Sequence, residues 1–236
     1  MFFSRNFDYP KDFHDMSAIF EKLLADPTLP TLLEELNKAM REEQLRRDAF
    51  YEWIDESTKA EFINGEVVMH SPAKEKHTAI RERLSTLLNI FVELNEIGAI
   101  RGEKAMIHLV RNSYEPDICF WKKEKSDLFD PEMSLYPAPD FVVEILSKGT
   151  KAKDRGVKFD DYALNGISEY WIIDPDKEIV EQYALTVALP DKYTLIGKWH
   201  DEHDISSWAI EGFKVPVQAI FEADANRQAL RGMYER

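Results

Sequence analysis

Tyr114-Glu-Pro-Asp-Ile-Cys-Phe-Trp121 and Pro139-Asp-Phe-Val-Val-Glu-Ile-Leu-Ser147 are two short apolar runs, each broken by an acid: Asp117 in the first, Glu144 in the second. Runs of this length, rich in β-branched and aromatic residues, read as buried strands. A buried, unpaired carboxylate costs several kcal/mol even after its surroundings relax, so each acid requires a compensating cation. Side chains alternate along a strand, which puts Asp117, Cys119 and Trp121 on one side and Val142, Glu144 and Leu146 on one side of the later strand. If the strands are neighbours, the two acids converge, and a single divalent ion compensates both. Two hard oxygen ligands plus water suit Mg²⁺ or Mn²⁺. Such an ion polarises a phosphodiester and generates hydroxide from water, and a nearby lysine stabilises the charge that develops on phosphorus. On the residues alone, a structural ion pair explains the same two acids.

The elements around these runs alternate. Ala60–Ile63 and Glu66–His70 flank Asn64-Gly65, a dipeptide suited to the positive φ angles of a type I′ hairpin turn. From His77 to Asn95, Ile80, Leu84, Leu87, Leu88, Phe91 and Leu94 recur at helical spacing and predict an amphipathic helix, closed by Gly98. Strands are expected over 99–110, 114–121, 140–147 and 169–174. A short helix, starting near Thr150 or Val157 and ending at Asn165-Gly166, separates the last two. A hairpin over 178–185 and 192–199 follows, then a docking segment from Phe213 to Phe221. This order predicts an α/β domain, a mixed sheet with helices packed on it, over residues 57–236. Residues 1–56 read as a helical N-terminal extension: one helix from Ser17 to Leu24, and a longer one capped at Thr31, with Glu34 completing a capping box. Leu32, Leu33, Leu36, Met40 and Leu45 form its apolar stripe.

The net charge is −14 over 236 residues, opposite to the basic excess expected of a simple nucleic-acid binder. The balance reverses locally, where Lys148, Lys151, Lys153, Arg155 and Lys158 face only Asp154, just after Glu144. That cluster suits a phosphate-bearing substrate, and equally a solvated loop. No apolar run approaches membrane-spanning length, and the first ten residues lack the features of a signal peptide. With a single cysteine, Cys119, there is no internal disulfide or cysteine-rich zinc site. A cytoplasmic protein is expected. His200-Asp-Glu-His203 lacks further metal ligands, and no glycine-rich phosphate loop or Gly-x-Ser-x-Gly elbow is present.

Taken together, Glu-Pro-Asp117-Ile-Cys-Phe, Pro-Asp-Phe-Val-Val-Glu144-Ile-Leu-Ser, Asp154-Arg155-Gly-Val-Lys158, Tyr162 and Glu169-Tyr-Trp-Ile-Ile-Asp-Pro resemble the second type of the Uma family, a group assigned to the restriction endonucleases within the PD-(D/E)XK nuclease superfamily. The resemblance runs from about Tyr51 to Glu222 and includes Phe-Ile-Asn-Gly-Glu66 and His77. It implies a restriction-endonuclease-like core and metal-dependent cleavage of DNA, with Asp117 and Glu144 as the motif acids and Mg²⁺ or Mn²⁺ as cofactor. One position departs: two residues after Glu144 stands Leu146 instead of lysine. Lys158, on the following helix, matches the family's lysine and is favoured as its replacement. Lys148 has the right strand parity but lies roughly 7 Å beyond Glu144.

Glu66 is expected as a third metal ligand or as a residue orienting metal-bound water, against the reading of an exposed hairpin acid. His77 is expected to contact phosphate or transfer a proton, against the reading of a helix-start residue. Asp154 and Arg155 are expected to pair with each other, and Asp161 and Glu169 to lie on the surface. The rival to DNA cleavage is a nuclease-fold module that binds or regulates without catalysis; a hydrolase of smaller phosphodiesters is a third reading. Because cutting both strands calls for two sites, a homodimer is also expected.

Overall fold

A computed structural model describes residues 11–235; the reading of residues 1–10 lies outside them. The chain divides into two compact units, Met1–Glu52 and Trp53–Arg236. The first is helical. It contains α1 (Lys11–Leu24), which begins ahead of Ser17, and α2 (Leu29–Trp53), which begins ahead of Thr31. Leu33, Leu36, Met40 and Leu45 of the expected stripe are exposed on α2, as are Ile19, Phe20 and Leu24 on α1.

The second unit runs β1 (Ala60–Ile63), β2 (Glu66–Met69), α3 (Glu75–Asn95), β3 (Gly98–Gly102), β4 (Met106–His108), β5 (Ser113–Tyr114) and β6 (Ile118–Lys122). There follow α4 (Lys123–Ser126), β7 (Leu135–Tyr136), β8 (Phe141–Ile145), α5 (Lys151–Asp154), α6 (Val157–Leu164) and β9 (Glu169–Asp174). It ends with β10 (Ile179–Thr186), β11 (Leu189–Trp199), β12 (Asp204–Ser206), β13 (Lys214–Pro216), α7 (Gln218–Phe221) and α8 (Ala223–Tyr234).

These strands form a six-stranded mixed sheet in the order β11-β10-β9-β8-β6-β3 and a five-stranded sheet in the order β2-β1-β5-β4-β7, with β12 and β13 paired separately. The single run expected over 99–110 is therefore two strands in different sheets. The chain breaks at a turn in which the Ala105 amide donates to the Gly102 carbonyl at 3.1 Å, and Lys104 takes a φ of 78°. Asn64 and Gly65, at φ 51° and 85°, make the predicted hairpin turn. Gly98 is required where β3 meets β6, because a Cβ there would lie 2.1 Å from the Trp121 carbonyl oxygen.

The two faces of the large sheet follow strand parity. Ile118, Phe120, Phe141, Val143, Ile145, Trp171 and Ile173 pack beneath the apolar stripe of α3, with Ile80, Leu84, Leu87, Leu88 and Val92 buried. Leu94, placed on that stripe by spacing alone, is exposed near the helix end. Cys119, Trp121, Val142, Leu146, Tyr170 and Ile172 face the other way and pack with Tyr162 of α6 and with the five-stranded sheet. This second face carries the acids. The helix α8, which spacing did not reveal, lays Ala225, Ala229, Leu230 and Met233 on the first core.

Candidate active site

Strands β6 and β8 are antiparallel neighbours, with Ile118 opposite Val143 and Cys119 opposite Val142. Continued by one residue, that register sets Asp117 against Glu144 on the same side of the sheet, and directly opposed residues hold their Cβ atoms about 4.5–5.5 Å apart. The Ile145 amide donates to Asp117 Oδ2 at 2.8 Å, tying the end of one strand to the other. Both acids are buried and line a single cleft of about 650 Å³.

Lys158 completes the centre. It projects from α6, the helix that follows β8, and only 2 % of its surface is exposed. Its Nζ lies 2.8 Å from Glu144 Oε1, 2.8 Å from Glu61 Oε1 and 3.6 Å from Asp154 Oδ1. Tyr162, one helical turn further on, donates its hydroxyl to the same Glu144 oxygen at 2.8 Å. The helix thus presents a cation and a phenol to one carboxylate, as i,i+4 neighbours on one face do. The ammonium also sits 5.5 Å from the centre of the Tyr114 ring.

One lysine faces three carboxylates, and the acids respond differently. Burial opposes ionisation of Glu61, but Lys158 and His70 outweigh it and bring its carboxyl down to about 2. Glu144 goes the other way: burial, reinforced by Asp154, Asp117 and Glu61, exceeds what Lys158 returns and lifts it to about 8. Asp154 is raised by burial as well. For Lys158, burial works against the charge, but Glu144, Glu61 and Asp154 hold it protonated well above the ordinary range. Lys158 and Glu61 thus favour their charged forms, whereas burial among Asp154, Asp117 and Glu61 disfavours the carboxylate of Glu144, a penalty that a further cation would relieve.

Asp117 has its own partners. His77 Nε2, at the start of α3, lies 3.1 Å from Oδ2, and Lys59 Nζ lies 3.9 Å from Oδ1. Burial raises its carboxyl, but His77, Lys59 and the Ile145 amide together bring it below the usual range. His70 Nε2 sits 3.0 Å from Glu61 Oε2, and the Glu115 amide donates to Glu61 Oε1 at 3.1 Å. Burial lifts the Glu115 carboxyl to about 6.

These donors fit a divalent ion. The cluster holds more buried carboxylates than cations, and Glu115 Oε2 and both oxygens of Asp154 are buried without a hydrogen-bond partner among the described residues. In that same set, no three or more His, Cys, Asp or Glu side chains form a ready-made metal cage.

The structure brings Asp117, Glu144, Lys158 and His77 together. It does not bring Glu66. Residue 66 pairs with Ile63 beside the hairpin turn on β2, the edge strand of the five-stranded sheet, and is exposed. The acid that enters the site from this hairpin is Glu61, two residues along β1 from Ile63. Its signal was present in the sequence: a lone acid inside the apolar run Ala60-Glu-Phe-Ile63, the pattern already seen at Asp117 and Glu144. Lys148 lies on the exposed cleft rim, while Lys158 reaches the acids.

Three further expectations change. Asp154 faces Lys158, while Arg155 donates to Glu181 Oε2 at 2.6 Å instead of pairing with Asp154. Asp161 accepts from Tyr114 and Asn112 at 2.9 and 2.8 Å. Glu169 is fully buried and accepts from the side chains of Trp171, Gln182 and Ser207 and from the amides of Trp208 and Ala209.

A family model described as "Uma2: Putative restriction endonuclease" matches residues 47–218. An uncharacterized protein of Synechocystis is 27 % identical over 146 residues, covering 59 % of this chain and 74 % of that protein. The crystal structure of a protein from Anabaena variabilis, described as a "putative nuclease belonging to DUF820", superimposes with a TM-score of 0.63. It matches 74 % of this chain and 96 % of its own, and at 18 % identity the likeness is one of fold. No helix among the described residues is long and apolar enough to cross a membrane.

Proposed function

The chain belongs to the Uma2 family, and from that membership we propose that it hydrolyses phosphodiester bonds of DNA, using Mg²⁺ or Mn²⁺ held by Asp117 and Glu144. The observation that carries this reading is the meeting of three groups in one cleft: two carboxylates opposed across neighbouring strands, and a buried lysine 2.8 Å from one of them. The bound ion would supply Lewis acidity to the scissile phosphate and acidify a water.

The chain's own groups do the rest. Asp117 is fixed through Oδ2 by the Ile145 amide and His77, while its Oδ1 faces Lys59 Nζ at 3.9 Å on the cleft lining. Glu144 is aimed by Tyr162 and Lys158 through one oxygen, leaving the other for the ion. Lys158 replaces the lysine missing at position 146: its ammonium reaches Glu144 from the helix instead of from the strand, and it offers positive charge to a phosphate oxygen. Glu61, with His70 behind it, holds that ammonium in place. His77, with Nε2 3.1 Å from Asp117 Oδ2, would steady that carboxylate and exchange a proton through it.

Cytoplasmic location and a homodimer that supplies two such sites belong to the same reading. Plasmid nicking in Mn²⁺ by the wild type and by Glu144→Ala tests it. Loss of cleavage in the variant supports hydrolysis here. Equal cleavage by both assigns the activity elsewhere, and no cleavage of duplex, single-stranded DNA or RNA with any divalent ion favours the non-catalytic binding module.

A further inference from the structure

The cleft has a rim whose charge contradicts that of the chain. Although the net charge is −14, lysines outnumber acids along the cleft lining. They come from separate segments. Lys74 and Lys76 stand at the start of α3, Lys148 on the turn between β8 and α5, Lys151 and Lys153 on α5 itself, and Lys177 just past β9. Lys76 pairs with Asp176, and Lys177 lies 3.6 Å from Asp174. Lys74, Lys148, Lys151 and Lys153 make no ion pair among the described residues, and all but the half-buried Lys153 are exposed. The segments approach one another, because all of them line the one cleft and Lys76 pairs across it with Asp176.

The lysine turn is built rather than slack. Ser147 and Thr150 bond through their hydroxyls at 3.0 Å, the Thr150 amide donates to Ser147 Oγ at 3.2 Å, and the Ser147 amide to Thr150 Oγ1 at 3.3 Å. The Lys151 amide donates to the Ser147 carbonyl at 3.1 Å. Four like charges held near one mouth repel one another, and the acids of the floor have other partners: Lys158 for Glu61, Glu144 and Asp154, His70 for Glu61, and His77 and Lys59 for Asp117.

We propose that Lys74, on one bank, and Lys148, Lys151 and Lys153, on the other, form a track for the backbone of a nucleic-acid strand, so that the substrate is a polymer and not a small phosphodiester. The proposal rests on the reading of the cleft as a phosphodiesterase site and extends it to the flanking phosphates. Each lysine that neutralises a phosphate releases condensed counterions, so the slope of log binding constant against log salt changes by about 0.9 per contact on duplex DNA.

The test is anisotropy binding of a fluorescein-labelled 20-base-pair duplex by the full chain in Ca²⁺, from 50 to 400 mM NaCl. The variants are Lys148→Gln/Lys151→Gln/Lys153→Gln and the charge-matched Lys122→Gln/Lys123→Gln/Lys214→Gln, whose sites are exposed and lie outside the cleft. The cleft variant is expected to flatten the slope by about 2–3, Lys74→Gln by about 1, and the distant variant by nothing. An unchanged slope in the cleft variant, an equal loss in both triple variants, or no binding by the wild type overturns the track. Nicking of plasmid DNA in Mn²⁺ by the wild type and by Glu144→Gln is followed separately. Salt-dependent binding without nicking of plasmid DNA in Mn²⁺ leaves the track standing and removes the catalytic reading; nicking with an unchanged slope does the reverse.

Discussion

Replacing Lys158 by methionine removes the one buried cation that three carboxylates share. Methionine fills a similar volume, so the packing loss is small, and the cost is electrostatic. Glu61 Oε1 and Glu144 Oε1 each lose a partner at 2.8 Å, and Asp154 Oδ1 loses one at 3.6 Å. Breaking a buried pair by removing one member costs about 3–5 kcal/mol, and for a domain of this size each kcal/mol moves the melting temperature by about 2–4 °C. A fall of roughly 6–20 °C at pH 8 in EDTA is therefore expected. The fall must depend on pH. Without Lys158 the buried acids keep their protons above the unfolded-state values of about 4, and an acid raised in the folded state gives up stability as pH rises. The deficit should thus shrink toward pH 5 and widen toward pH 9. Glu144→Gln in the same background should return about 1–3 kcal/mol, the coupling expected of groups in contact. The assay is thermal and urea denaturation of the four proteins of the cycle. A loss below about 1 kcal/mol, flat in pH and additive with Glu144→Gln, would refute the claim that Lys158 holds these acids together.

Glu144→Gln alone should make metal-free stability less dependent on pH. The Glu144 carboxyl is lifted by burial to about 8, so its contribution is complete below about 4.5 and is lost as pH rises through about 8. Melting in EDTA at pH 6 and pH 9 should show a larger drop for the wild type than for the variant. Glu61→Gln should act at the acid end. Its carboxyl, brought down to about 2 by Lys158 and His70 against burial, adds stability that is present above about 4.5 and lost as pH falls toward 2. An acid titration followed by circular dichroism should find the wild type losing more between those limits than the variant. Glu169→Leu should destabilise the protein by about 3 kcal/mol or more, because it strands buried donors that now share one carboxylate. Where the variant folds, its Mn²⁺ affinity by isothermal titration should match the wild type, since Glu169 does not line the cleft.

The acids of the site were legible because burial of a charge leaves a mark in a strand. Asp117 and Glu144 each interrupt an apolar run, and alternation put both on the face that carries Cys119, Trp121, Val142 and Leu146. The same rule, applied to Ala60-Glu-Phe-Ile63, would have found Glu61, whereas reading the hairpin by its Asn-Gly turn drew attention to Glu66 on the edge strand. Lys158 was reached through the family resemblance; by its local pattern alone it reads as a surface lysine on the helix it shares with Tyr162. Its second partner, Glu61, lies 97 positions away in the chain, and no local pattern encodes that meeting. The break of 99–110 into β3 and β4 was missed although Arg101-Gly-Glu-Lys104 marks it with a polar turn; which sheet each half joins is not written in either half. Glu169 looked like a surface acid at the start of a strand. Its burial depends on donors from Gln182 and the 207–209 turn, which only the folded chain supplies.

The account stands on the pairing of Asp117 with Glu144 around one cation, and anomalous diffraction from crystals soaked in Mn²⁺ measures that pairing directly. A single Mn²⁺ peak bridging the two carboxylates, within about 2.0–2.4 Å of an oxygen of each, is the predicted result, and it should vanish in Asp117→Ala. Density at millimolar Mn²⁺ that lies elsewhere, or a cleft in which Lys158 alone satisfies Glu144 and no ion enters, would contradict it.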